Sequence, residues 1–413
     1  MGGSVSKGSG TLTSGTPQRN AQASASGVKA AHIDSNAKRL ILITELIAPY
    51  RVPEFNALAE HPDIDLHVIF LAETDPSMRQ WRVYKDEIRF SYEVLPSWRW
   101  QVGPSNVLMN RGLGRALRTA DPDAMVVGGY NYPASWQALF WAHRRSVPFC
   151  LWSESNSADR RSHRKVVELL KTRFLRDCCG FVVPGRSSRQ YLLDLGVRDK
   201  PIFIAPNAVD NDLFSRLAHT ATKDAHRIRT DYKLPDRFFL YVGRLIPSKG
   251  VFDLLEAYAG LKSEIRSEVG LVFVGDGASQ AQLTKRASGI HPGRVQCFGF
   301  IHREQLPEFY SLAEAFVFPT HSDPWGLVVN EAMACGLPII ATNVGGCVAD
   351  LVEDGWNGFV IPASQPVQLT AALETIATDS TLRRRMAGNS LERIQLYSPS
   401  AWAEGMAAVM NLA

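Results

Sequence analysis

The feature that most constrains this chain is a rhythm that runs twice. Short, continuous apolar runs alternate with amphipathic helical stretches, first over 38–207 and again over 236–385. In the first pass the runs are RLILITEL, DLHVIFLAE, AMVVGG, PFCLWSE, GFVVPG and PIFIAPN. In the second they are RFFLYVGR, GLVFVGDG, VQCFGF, EAFVFPT, LPIIAT and GFVIP. Runs that are apolar throughout suit strands covered on both faces, and helices between them imply parallel sheets wound by crossovers. The expected fold is α/β, two Rossmann-like doubly wound domains facing a central cleft, where ligands bind.

The intervals complete the plan. Residues 208–235 are dominated by charged and polar side chains and read as a linker, while 386–413 read as a helical segment with a break at Tyr397-Ser398-Pro399. Residues 1–37 are rich in Gly, Ser, Thr and Ala and cannot bury enough surface to offset their ordering entropy, so disorder is expected. Their opening MGGSVSK fits the myristoylation pattern at Gly2 and Ser6, and is read as a chance match. With 413 residues, 45% of them hydrophobic, the chain can fill two ordinary cores.

Several function classes fall away. No stretch approaches the ~20 apolar residues of a membrane span. A net charge of +4 is too mild to imply nucleic-acid binding. Six cysteines without metal-type or paired spacing read as buried free thiols in a reducing compartment, which places the chain in the cytoplasm. The first strand leads into ELIAPYR, not a G-x-G-x-x-G turn; Gly275-Asp276-Gly277 is only a fragment of one, and no P-loop occurs. Dinucleotide binding and P-loop phosphate transfer are therefore disfavoured.

What remains is concentrated in the second half. YVGRLIPSKGVFDLLEAYAGL places Arg244 after a strand and Lys249 at the mouth of the next helix. Two cations beside a helix N-terminus offer the fixed positive charge a diphosphate needs, although two solvated loop cations would look the same. Roughly 70 residues on comes HSDPWGLVVNEAMACGLPIIATNVGG. Asp323 to Gly326 read as a loop and Leu327 onward as a helix. The amides of Gly326, Leu327 and Val328 suit phosphate oxygens, Glu331 suits ribose hydroxyls and Asp323 suits sugar hydroxyls. An ordinary helix acid and a cap are the plainer reading of that pair.

The residues GRLIPSKG, DPWGLVVNEAMACGLP and LVEDGWNGFVIP, in that order, resemble the family 4 retaining glycosyltransferases of GT-B fold, of the bacterial polysaccharide-biosynthesis type. Their signature is G-R-x4-K-G followed by E-x7-E within E-x-F-G-L-x-x-x-E-A-M-A-x-G-x-P. The resemblance implies that Arg244 and Lys249 bind the donor diphosphate, Glu331 the ribose, and that Asp323 stands at the first Glu position. It also implies transfer of a hexose from a UDP- or GDP-sugar to a saccharide or lipid-linked acceptor with retention, and no cofactor. The chain departs in having Asp at 323 and Trp at 325. A metal-dependent alternative would use a D-x-D site; Asp63-Ile64-Asp65, Asp121-Pro122-Asp123 and Asp210-Asn211-Asp212 are read as chance strings, and no metal is expected. A GT-B sugar-nucleotide epimerase, or a silent partner or membrane-binding module, is the alternative function.

By the same resemblance the first domain takes the acceptor. Arg51 in LIAPYRVPEFNALAE faces the cleft in this reading, and Tyr130 and Glu154 follow strand ends where open α/β sheets bind ligands. Glu154 is the candidate acceptor-orienting or proton-accepting group, with helix capping as its alternative. RRSHRKVVELLKTRFLR, 160–176, carries seven Lys/Arg and an apolar stripe of Val166, Leu169, Leu170 and Phe174. Such a helix is a candidate for peripheral contact with an anionic membrane, or an ordinary surface helix with its stripe in the core. The aromatic and cationic stretch MRQWRVYKDEIRFSYEVLPSWRW reads as a sugar- or lipid-contacting element or a hairpin-like packed excursion.

Overall fold

The computed structural model describes residues 37–74, 82–102, 105–156 and 165–413. The expectations for 1–36, including the disorder and the Gly2/Ser6 pattern, lie outside the described residues.

All twelve apolar runs are strands. The first sheet contains β1 (Lys38–Thr44), β2 (Ile64–Phe70), β3 (Ser91–Val94), β6 (Ala124–Gly128), β7 (Phe149–Trp152), β8 (Gly180–Val183) and β9 (Ile202–Ile204), in the order β3-β2-β1-β6-β7-β8-β9. The second contains β10 (Arg237–Val242), β11 (Val269–Val274), β12 (Val295–Phe298), β13 (Ala315–Phe318), β14 (Ile339–Thr342) and β15 (Gly358–Ile361), in the order β12-β11-β10-β13-β14-β15. Every pairing within the two sheets is parallel. Central strands such as β7, β11 and β13 are buried along their whole length, as continuous apolar runs require. In both sheets the order reverses beside the first strand, which opens a crevice at the carboxyl edge.

One strand was hidden in the sequence, and one excursion was anticipated. β3, with the mixed sequence SYEV, lies parallel to β2 at the sheet edge. β4 (Ser97–Val102) and β5 (Ser105–Asn110) pair antiparallel as the expected hairpin-like excursion.

The polar interval after β9 is not a linker. It forms helices Asn211–Lys223 and Ala225–Tyr232, and Val209, Phe214, Ala221, Ile228 and Leu234 enter the core of the second sheet. Its polar outer faces masked this narrow apolar stripe. The tail also divides differently. Helix Ser380–Ile394 stays with the second sheet through Met386 and Ile394. After the break, Ser398 caps helix Pro399–Ala407, which crosses back to the first sheet. There Trp402 lies 5.6 Å from Phe55 and 5.7 Å from Trp152 between ring centroids. The chain thus passes between its two halves twice, once on each side of the second sheet's elements. Among the described residues no helix is long and apolar enough to cross a membrane. The six cysteines are free thiols, and Cys179 is exposed rather than buried.

Candidate active site

The carboxyl edges of the two sheets face each other. After β7, Asn156 Nδ2 donates to the Asp323 carbonyl at 2.9 Å. After β8, the Arg186 amide donates to Asp350 at 3.0 Å. After β9, the Asn207 carbonyl accepts from Asn330 Nδ2 at 2.9 Å. Each contact joins a loop of one half to a loop or helix of the other, so the cleft floor is closed by polar bonds.

On the second side, Arg244 leaves β10 with its side chain exposed. Its carbonyl is held by the Tyr241 hydroxyl at 2.9 Å, which fixes the backbone while the guanidinium stays available. Lys249 ends the single turn Pro247–Lys249. Gly250 follows at φ 69°, and a Cβ there would stand 1.8 Å from the Pro319 carbonyl oxygen, so only glycine lets helix Val251–Ala259 start here. Lys249 Nζ then reaches the next loop, donating to the Ser322 carbonyl at 3.0 Å and to Asp323 Oδ2 at 2.5 Å. The structure therefore pairs Lys249 with Asp323 directly.

Asp323 is held on its other oxygen, Oδ1, by the Trp325 amide at 3.3 Å. Gly326 takes φ 99° and lies against the Phe318 ring, where a Cβ would be only 2.4 Å away. This turn opens helix Leu327–Ala334. The first amides of a helix have no intrahelical acceptor, so those of Leu327 and Val328 are offered at its mouth with the positive end of the dipole. One turn in, Glu331 accepts from the Tyr310 hydroxyl at 2.8 Å. Burial pushes the Glu331 carboxyl up to about 7, against the pull of that hydrogen bond.

On the first side, Arg51 and Glu154 form one cluster. Arg51 is buried, and one guanidinium nitrogen, Nη2, donates to Glu154. The other, Nη1, donates to Glu54 at 2.7 Å and to Asn207 Oδ1 at 2.9 Å, while the guanidinium stacks 4.6 Å from the Trp152 ring centre. Glu54 is fully buried and also accepts from the Ala208 amide at 2.8 Å. Burial pushes its carboxyl up, opposed by Arg51 and the Ala208 amide. Glu154 is 36% exposed on its side chain, so it is the member of the cluster open to the cleft. Tyr130 follows the carboxyl end of β6, and its partly buried ring lies 6.0 Å from Phe174 and packs on the first sheet's core.

Other expectations resolve locally. Asp65 pairs with Arg39 at 2.6 Å, Asp123 accepts the Arg39 amide at 2.7 Å, and Asp210 caps helix Asn211–Lys223. The first two strings sit at the amino edge of their sheet, opposite the cleft. Among the described residues no three His, Cys, Asp or Glu side chains converge on a metal-sized point. Of the basic segment, 160–164 and the side chains of Val166 and Leu169 lie outside the described residues. In helix Lys165–Asp177, Phe174 is in the core while Leu170 is 51% exposed. Lys171 turns inward to the Tyr191 hydroxyl at 2.6 Å, so the helix is not uniformly basic outside.

Tyr310, Glu54, Asn207 and Asn330 were missed. A Tyr in an otherwise apolar stretch needs a partner for its hydroxyl, and that was the available signal for Tyr310. Asn207 and Asn330 have partners remote in sequence, and Glu54 joins the nearby Arg51 to the Ala208 amide 154 positions away.

Known proteins resemble this chain in sequence and in fold. The "Glycosyl transferases group 1" family matches residues 222–393 and the "Glycosyl transferase 4-like domain" family matches 56–208. Alpha-D-kanosaminyltransferase of Streptomyces kanamyceticus is 36% identical over 207 residues, 47% of this chain and 53% of that protein. D-inositol 3-phosphate glycosyltransferase of Geodermatophilus obscurus is 30% identical over 245 residues, 55% of this chain and 53% of that protein. The match thus spans about half the length of each of these relatives. Anabaena Alr3699/HepE, solved in complex with UDP and glucose, superposes with a TM-score of 0.70 at 18% identity, over 91% of this chain and 99% of that one. With both sheets, both family matches and the shared fold in place, the chain belongs to the GT4-type glycosyltransferases of GT-B fold.

Proposed function

We propose that this chain transfers a hexose from a UDP- or GDP-sugar to a saccharide or lipid-linked acceptor, with retention of configuration, in polysaccharide or glycolipid biosynthesis. One observation carries this reading. Arg244, Lys249, the helix mouth at Gly326 to Val328 and Glu331 gather at the carboxyl edge of the second sheet, opposite the Arg51–Glu154 cluster of the first. Crystallisation of the fold relative with UDP and glucose supports a uridine nucleotide as the first donor to try.

The chemistry follows from charge. As the glycosidic bond breaks, negative charge grows on the leaving diphosphate. Arg244, Lys249 and the amides of Leu327 and Val328 stabilise it from fixed positions. Lys249 exchanges part of its bond to Asp323 for a phosphate oxygen, and Asp323 turns to the sugar hydroxyls. Glu331 accepts the ribose hydroxyls. Glu154 orients the acceptor hydroxyl and receives its proton. No metal has a step in this scheme, because the two cations and the helix mouth supply the positive charge. The exposed Leu170 of helix Lys165–Asp177 marks where contact with an anionic membrane is proposed.

The test is nucleotide release with and without acceptor, after a thermal-shift screen of UDP-, GDP- and dTDP-sugars selects the donor. Arg244→Ala and Lys249→Ala should each lower acceptor-dependent release by roughly a hundredfold or more, as loss of a transition-state donor does. Near-normal release in both variants would remove these residues from the site. Acceptor-independent conversion of the donor to an epimeric sugar would identify an epimerase instead.

A further inference from the structure

The donor loop and the acceptor carboxylate are joined by a line of hydrogen bonds that is buried as far as Arg51. Trp325 Nε1 donates to Asn330 Oδ1 at 2.9 Å. Asn330 Nδ2 donates to the Asn207 carbonyl at 2.9 Å. Asn207 Oδ1 accepts from Arg51 at 2.9 Å, and Arg51 holds Glu154. Trp325, Asn330, Asn207 and Arg51 are all at least nine-tenths buried, so water does not compete for the bonds among them, and only the last link, to the part-exposed Glu154, meets the cleft. The line crosses from one half of the molecule to the other at Asn207 and Ala208, on the extended segment between β9 and helix Asn211–Lys223. Glu54 pins the same crossover through the Ala208 amide at 2.8 Å.

The two ends of this line are functional in the reading above. Trp325 follows Asp323 and precedes Gly326, and Asn330 adjoins Glu331 on the donor helix. Glu154 stands at the other end with its carboxylate open to the cleft. Arg51 has Glu54, Asn207 and Glu154 as partners and an aromatic face against Trp152, so its guanidinium has one defined position. Glu154 inherits that position.

Resting on the proposed acceptor role of Glu154, we infer that Arg51 and Asn330 are positioning residues. Together they aim Glu154 only when the donor helix is docked on the interdomain crossover. The indole of Trp325, where the family frame has Phe, supplies the N–H that starts the line; a phenyl ring has none. Domain docking around a bound donor and alignment of the acceptor group are then one event. Donor cleavage to water does not need the acceptor group to be aimed, so it depends on the linkage less than transfer does.

A double-mutant cycle tests this. Asn330→Leu removes the link at near-constant volume; Trp325→Phe restores the family's ring, removing the indole N–H together with part of the buried ring, and serves if Asn330→Leu melts early. Glu154→Gln removes the group being aimed. In Asn330→Leu, donor affinity by calorimetry should stay within about threefold of the parent, while kcat for transfer falls about 10- to 100-fold, the scale expected for misplacement near 1 Å. Donor hydrolysis should fall less than transfer, so the ratio of hydrolysis to transfer rises. A general loosening of the fold would lower both together. In the Glu154→Gln background the further effect of Asn330→Leu or Trp325→Phe should shrink to less than about threefold, since coupled residues are non-additive. Full additivity would overturn the linkage while leaving the donor site intact. Parental transfer by Glu154→Gln would overturn the acceptor role and the linkage with it, whereas failure of the donor site would show in Arg244→Ala and Lys249→Ala.

Discussion

Glu331 offers a prediction in which stability and function must move in opposite directions. Its carboxyl is pushed by burial from an ordinary 4.5 to about 7, with only the Tyr310 hydroxyl in compensation. An acid whose folded pKa is raised binds its proton more tightly in the folded state, so folding is favoured below the unfolded value and loses that advantage as pH rises through the folded one. The loss runs from about pH 4.5 to about pH 7 and amounts to about 3 kcal/mol at pH 8. Glu331→Gln removes the ionisation and keeps an acceptor for Tyr310, though a weaker one, which costs about 1 kcal/mol. The variant should therefore be more stable by about 2 kcal/mol at pH 8, with the gain closing to about zero near pH 5. At about 2–4 °C per kcal/mol for a domain of this size, the melting temperature should rise by about 4–8 °C at pH 8. Donor binding should weaken about tenfold, because a neutral amide is a poorer acceptor for ribose hydroxyls than a carboxylate. Melting curves at half-unit steps from pH 5 to 8.5, with calorimetry of the selected nucleotide-sugar at pH 8, measure both. A gap in melting temperature that does not change with pH, or a variant less stable at pH 8, would refute the reasoning: Glu331 would then not be a carboxylate held at a cost for its ligand.

The remaining expectations concern neighbouring positions. Asp323→Glu restores the family's carboxylate one methylene further out, against a Lys249 contact already at 2.5 Å; improved turnover would show the shorter side chain to be a defect, and turnover lower by about tenfold or more that it is matched to this donor. Gly326→Ala forces a Cβ to within 2.4 Å of the Phe318 ring at φ 99°, so chemical denaturation should show a loss of about 2–4 kcal/mol, with weaker donor binding as the helix mouth shifts. Turnover should survive a strong chelator unchanged, and abolished turnover would require a metal in the mechanism.

Legibility from sequence followed the sequence distance over which each feature is built. The strands of both sheets are local: β10 from Phe238 onward and all of β11 are buried because FFLYV and VGLVFV are apolar throughout. Edge strand β3 escaped because SYEV is only half-buried and its placement comes from pairing with β2. The interval 208–235 was misread for a related reason. Helices Asn211–Lys223 and Ala225–Tyr232 bury few side chains among many charges, and composition alone cannot separate a thin amphipathic helix from a polar connector.

The two halves of the site differ in the same way. The donor residues fall within one stretch from Arg244 to Glu331, where a diphosphate demands particular side chains at particular turns, and so they leave a readable frame. The Lys249–Asp323 pair adds something that frame does not contain: without a donor, cation and carboxylate neutralise each other, so neither is left uncompensated in a half-buried loop. The acceptor cluster leaves no frame. Arg51 meets Glu154 103 positions away and Asn207 156 positions away, and Asn330 meets Asn207 across 123. Each of these residues alone reads as an ordinary loop or helix polar group. Only folding shows that Arg51 is buried between two carboxylates, which means its charge serves the protein's own geometry and is not spare for an acceptor. A cation so fully engaged can act on the acceptor only through Glu154, and that restriction turns the departure at Trp325 from an isolated oddity into the far end of the same structure.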